Sequence, residues 1–84
     1  MYKYLMIVEK TKTGFSAYSP DLPGCVASGS TIGATEKLMK EAIEFHIEGM
    51  IEEGLEIPIP TTRDADFVKI RVKNKPGKVA LATT

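Results

Sequence analysis

Only one segment of this chain carries a long helical repeat, and that limits the folds open to it. Across residues 35–53, Leu38, Met39, Ala42, Ile43, His46, Gly49 and Met50 recur at steps of three and four. That spacing gathers side chains on one face of an α-helix. A lone helix has to bury such a face against something else, and the remaining segments are short enough to be strands. The predicted class is α+β, with one helix packed on one face of a sheet. Ser30 or Thr31 is the natural N-cap, since a hydroxyl accepts a hydrogen bond from an unpaired first-turn amide. Neither Gly33 nor Ala34 can close a capping box. Gly54 fits a left-handed stop at the other end.

The strands follow from pattern and punctuation. Residues 2–9 are aromatic and β-branched, and the near-continuous apolar run over residues 4–8 predicts a central strand buried on both faces. A polar stretch ending at Gly14 makes a hairpin turn, and residues 15–19 supply the second strand. Pro20 ends it, because proline has no amide hydrogen to give to a ladder. The loop Pro20-Asp21-Leu22-Pro23-Gly24 leads into a third strand over residues 25–28. After the helix, Pro58 and Pro60 enforce an extended return over residues 55–65. In residues 66–72, Val68, Ile70 and Val72 alternate with Phe67, Lys69 and Arg71, the mark of a one-sided fourth strand. The order is then β-β-β-α-β. A three-stranded antiparallel meander followed by a right-handed crossover puts the fourth strand beside the first, in spatial order 3-2-1-4. Residues 73–84, with a Pro-Gly turn and a short apolar run, form a C-terminal extension that adds a short edge strand or frays.

An 84-residue chain makes one domain, and at that size folding buries only about 60–65% of the extended chain's surface. Oligomers, dimeric or tetrameric, are expected from so thin a core. The chain is 43% apolar and 26% charged, close to globular averages. No window approaches the ~20 apolar residues of a membrane span, and the first segment lacks a basic leader and a cleavage site. A cytoplasmic protein with no membrane contact is expected. The single Cys25 agrees, since it has no disulfide partner within the chain. Net charge is zero but unevenly spread: residues 36–56 carry a net of −5 and residues 63–84 a net of +4. Such blocks steer charged partners.

The residues offer little for catalysis. A two-metal nuclease site needs several converging carboxylates to bridge the attacking and leaving oxygens. The first strand ends on Glu9 and has no other acid, and Asp21 sits in a Pro-flanked loop. Cys25 and His46 follow no nucleophile–base spacing; a strand-start cysteine packs as a small hydrophobe, and His46 falls on the helix's apolar stripe. No enzyme, metal or cofactor is therefore expected. Lys69, Arg71, Lys73, Lys75 and Lys78 make a basic stretch without interleaved aromatics, better read as protection of an edge than as a nucleic-acid platform. The candidate partner surfaces are two. Glu41, Glu44, Glu48 and Glu52 stand three or four apart, an acidic stripe suited to a basic partner. Beside Asp21, Leu22 either folds back on the core or stands out as an apolar anchor.

The run Gly14-Phe15-Ser16-Ala17-Tyr18-Ser19-Pro20-Asp21-Leu22-Pro23-Gly24-Cys25-Val26 resembles the G-[FY]-x-A-x-x-P-[DE]-L-P-G-C signature of the HicB-like antitoxins. Gly29 and Thr31, then Lys40-Glu41-Ala42-Ile43, then Glu53-Gly54-x-x-Ile57-Pro58-x-Pro60 extend the likeness over residues 1–72. The resemblance implies a trimmed ribonuclease-H-like fold and neutralisation of a HicA-like toxin, a small RNA-cleaving protein. The chain would then act as a ribonuclease inhibitor by occluding its partner. The other reading is an orphan HicB-like module that assembles with itself. Family members commonly add a C-terminal helix-turn-helix or ribbon-helix-helix. Residues 73–84 are too few for one, so direct DNA binding is not expected. Gly33-Ala34 also departs from the acidic residues usual at the family's helix start.

Overall fold

The computed structural model describes residues 1–72; the expected edge strand within residues 73–84 lies outside them. Three strands, β1 (Ile7–Lys10), β2 (Phe15–Tyr18) and β3 (Val26–Gly29), form an antiparallel sheet in the order β1-β2-β3. One helix, α1 (Ile32–Glu52), covers one face. The α+β class and the three-stranded meander are those the sequence pattern predicts.

β1 is shorter than its apolar run. Ile7 is paired with Tyr18, the last residue of β2. Beyond that point the neighbouring chain turns away at Ser19 and Pro20, so residues 2–6 have no ladder to join. β3 likewise begins one residue late, because the Cys25 amide donates to the Leu22 carbonyl at 3.1 Å and closes the loop. The register Val8–Ala17–Ala27 places those three side chains on the helix-covered face, while Ile7, Tyr18 and Val26 share the other.

α1 begins earlier than the repeat suggests. Thr31 is the N-cap, with its hydroxyl accepting from the Ala34 amide at 3.0 Å. At the other end Gly54 has φ +70°. Its amide donates to Ile51 and the Leu55 amide to Met50, the paired bonds of a Schellman stop. The helix lies chiefly over β3 and β2 and only grazes β1. Its fully buried residues are Thr35 and Met39; Leu38, placed by spacing in the apolar stripe, is exposed. Met39 joins Ala17, Leu22 and Cys25 as the core, flanked by Tyr4, Met6, Val8, Ala27, Ala42, Ile43 and Ile47.

The expected fourth strand is not formed among the described residues. The return chain runs beside β1 in the same direction: residues 62–65 face residues 3–6, and residues 65–67 face residues 5–9. Open clefts of about 360 and 500 Å³ lie between them. Ladder bonds require strands about 4.8 Å apart. The Phe67 amide, one of the donors such a ladder would use, is instead held by the Asp66 carboxylate at 2.8 Å. Residues 66–72 are exposed and unpaired by any strand. The spatial order 3-2-1-4 thus reduces to β1-β2-β3 with an unpaired segment alongside β1.

Two glycines predict opposite responses to the same substitution. A Cβ at Gly29 would lie 2.7 Å from the Thr35 hydroxyl and 3.0 Å from its backbone nitrogen. Gly29→Ala should therefore force β3 from the helix start and cost roughly 1–3 kcal/mol. At Gly49, inside the helix, a Cβ meets nothing within 4 Å. Gly49→Ala should stabilise by roughly 0.5–1 kcal/mol through helix propensity. Urea unfolding of both variants reads the two signs directly.

Candidate functional site

The loop between β2 and β3 divides its residues between inside and outside. The Leu22 amide donates to the Ser19 carbonyl at 3.2 Å, and Gly24 takes φ +85°. These contacts turn the Leu22 side chain into the core, where it is 1% exposed. Of its two readings, folding back is the one observed, and in this conformation the side chain offers no anchor to a partner. Asp21 points the other way and acts as a clasp. Its Oδ1 accepts from the Thr61 hydroxyl at 2.8 Å and its Oδ2 from the Thr61 amide at 3.1 Å. Nearby, the Tyr4 hydroxyl donates to the Pro58 carbonyl. These three bonds pin the start of the return chain to the β2–β3 loop and to the segment preceding β1.

The clasp leaves an electrostatic signature. The Thr61 hydroxyl, then the Thr61 amide, hold the Asp21 carboxyl below its ordinary value, with the Thr62 amide and the Arg63 charge adding to the effect. A carboxyl so lowered contributes stability that is complete above the ordinary value of 3.8 and is lost as the pH falls through the folded value beneath it. Burial, aided by the charges of Tyr2 and Asp21, raises the Tyr4 hydroxyl, so it remains a donor at neutral pH. Burial also pushes the Cys25 thiol up, which keeps it protonated and a poor nucleophile. His46 is half-buried on α1. Among the described residues, no three of His, Cys, Asp and Glu gather where they could hold a metal. No helix there is long and apolar enough to cross a membrane.

The remaining candidates share one surface. Glu41, Glu44, Glu48 and Glu52 are all exposed, and at about 100° per residue they fall in a single band along α1. On one side this band borders a groove of about 440 Å³ lined by Tyr2, Tyr4, Ile43, Ile47 and Ile57, with Glu44 and Glu48 at its rim. On the other it borders Leu38 and Phe45, seven residues apart; Phe45 is 79% exposed. The acids therefore run between two apolar margins. Phe45 is the residue that spacing alone passes over. Its signal is that it is a large aromatic out of phase with the buried stripe and set among glutamates.

Comparisons with known proteins identify the family. The sequence profile of the HicB-like antitoxins of bacterial toxin-antitoxin systems matches residues 4–80. This chain belongs to that family. A 14.9 kDa protein from the rep-hol intergenic region of Haemophilus phage HP1 is 44% identical over 55 residues, 66% of this chain and 41% of the phage protein. The HicB-like chain thus spans about two-fifths of that relative's length. A UPF0150 protein of Synechocystis sp. is 36% identical over 59 residues, covering 69% of this chain and 75% of its own. Among solved structures, a chain of a HicA3 and HicB3 toxin-antitoxin complex superposes with TM-score 0.63 at 35% identity, over 73% of this chain and 72% of that one.

The Asp21 clasp gives a spectroscopic prediction. In an acid titration followed by NMR, the Thr61 amide resonance should move with a midpoint below 3.8, the ordinary carboxyl value. Asp21→Ala should abolish that titration and speed proteolysis of the return chain. A Thr61 amide that ignores the Asp21 charge would remove the clasp.

Proposed function

We propose that this HicB-like chain is the antitoxin of a HicA-type ribonuclease, which it neutralises by covering it in the cytoplasm, without catalysis of its own. The likeness to a chain of a HicA3 and HicB3 complex supports this reading most directly. The exposed face of α1 supplies the means. Four carboxylates in one band, margined by apolar side chains, suit a basic surface of the kind an RNA-cleaving protein needs to hold phosphates. Charge complementarity of this kind raises the rate of encounter and fixes the orientation of docking. Glu41, Glu44, Glu48 and Glu52 are the contacts in this reading. Asp21 and Leu22 act behind them, holding the loop and return chain in place. No cofactor takes part.

The test is binding and inhibition with a purified HicA-type toxin. The chain should suppress RNA cleavage at near-equimolar ratio. The triple variant Glu44→Gln, Glu48→Gln, Glu52→Gln should bind at least about tenfold more weakly at low salt and lose much of the wild type's salt dependence. Full inhibition by the triple variant, with an unchanged salt slope, would move the contact elsewhere. RNA cleaved at the same rate with or without the chain would end the antitoxin reading.

A further inference from the structure

The groove beside the acidic band joins three separate stretches of the chain. Ile43 and Ile47 come from α1, Tyr2 and Tyr4 from the segment before β1, and Ile57 from the return chain. The two tyrosine rings stand at 89° with centroids 6.2 Å apart, so they make an aromatic corner. The Tyr4 hydroxyl donates to the Pro58 carbonyl, which fixes its ring and holds the neighbouring Ile57 beside it. The groove encloses about 440 Å³, room for a long side chain.

Two carboxylates stand at its rim, and no cation of the groove answers them. Glu44 and Glu48 are one helical turn apart, about 5–6 Å between Cβ atoms, and both are exposed. Among the described residues neither makes a hydrogen bond or an ion pair. Lys3, between the two tyrosines in sequence, lines the clefts on the Arg63 side instead. These features discriminate between occupants. An apolar side chain entering here would strip water from the two acids and leave them unpaired. A lysine would bring charge, but its compact ammonium is strongly hydrated and offers no flat surface to a ring. A guanidinium is planar, weakly hydrated, carries five donors in a fork, and stacks on aromatic faces. Its alkyl stem lies along apolar surface while the charged head stays at a polar rim.

We propose that this groove is a socket for an arginine side chain of the partner protein. The stem lies along Ile43 and Ile47, and the guanidinium stacks on Tyr2 and bridges Glu44 and Glu48. The partner's identity rests on the toxin reading: a protein that holds RNA phosphates needs cations on the surface to be covered, and arginine suits that task. Within the acidic band the four glutamates then differ in role. Glu44 and Glu48 grip the guanidinium, while Glu41 and Glu52 lie outside the groove and contribute through charge alone. The Asp21–Thr61 clasp acts on the socket at one remove, since it steadies the return chain that supplies Ile57.

The socket can be tested without a toxin. The full chain, labelled on isoleucine methyl groups, is titrated by NMR with N-acetylarginine amide, N-acetyllysine amide and N-acetylnorleucine amide at equal concentrations. The arginine probe should shift the Ile43, Ile47 and Ile57 methyl resonances and bind at least about threefold more tightly than the other two. Glu48→Gln should remove that preference, whereas Glu36→Gln, also exposed on α1, should leave it intact. Equal binding of the lysine probe, equal binding of the norleucine probe, or no shift at those methyls would each overturn the socket. A second arm uses purified HicA-type toxin. Tyr2→Ala removes a wall and no charge, so it should weaken toxin binding by at least about tenfold with an unchanged salt slope. Circular dichroism checks its fold; if that variant is unfolded, Tyr2→Leu replaces it. Unchanged toxin affinity in the folded Tyr2 variant overturns the socket and leaves the antitoxin reading standing. A chain that prefers the arginine probe yet binds no toxin supports the socket and ends the antitoxin reading alone.

Discussion

The architecture depends on Leu22. Among the described residues, a core of four buried apolar side chains between a three-stranded sheet and one helix leaves little to spare, and two of the four, Leu22 and Cys25, come from the β2–β3 loop. The two prolines and the positive φ of Gly24 fold that loop so tightly that its leucine plugs the space beneath Met39 while the preceding aspartate stays outside. Packing and tethering are therefore coupled. Sealing the core turns Asp21 outward, and Asp21 then captures Thr61, forty residues further along.

That capture governs the rest of the chain. Tyr4 and Asp21 hold the return path at Pro58 and Thr61, next to β1, and beyond Ala65 the Asp66 carboxylate binds the backbone amide that a ladder would need. From there to Val72 the chain is an exposed apolar and basic segment with no sheet of its own. An unpaired strand and an uncovered sheet edge in one molecule are a hazard that proteins must manage.

Function in such a domain belongs to its surface. Its cysteine is buried and protonated, four of its carboxylates lie in one band on α1, and Asp21 serves as a clasp. The acidic band of α1 and its apolar margins are the surface we propose for the toxin. Thin cores benefit from partners, since anything that binds the folded state alone also stabilises it. Binding of the proposed toxin would act on persistence in the cell by this thermodynamic route.

The elements themselves were legible from residue order. The Gly14-to-Cys25 signature located the hairpin and its loop, Ser30 or Thr31 and Gly54 bounded the helix, and the glutamate spacing placed the acidic band on one side of it. These are local matters of dihedral preference, capping and periodicity, and a linear sequence carries them in full. The direction of Leu22, the exposure of Leu38 and Phe45, the Asp21–Thr61 clasp and the missing fourth ladder were decided only in three dimensions. Each depends on how far apart two distant segments come to rest, and whether a side chain is an anchor or a plug is settled by the neighbour that reaches it first.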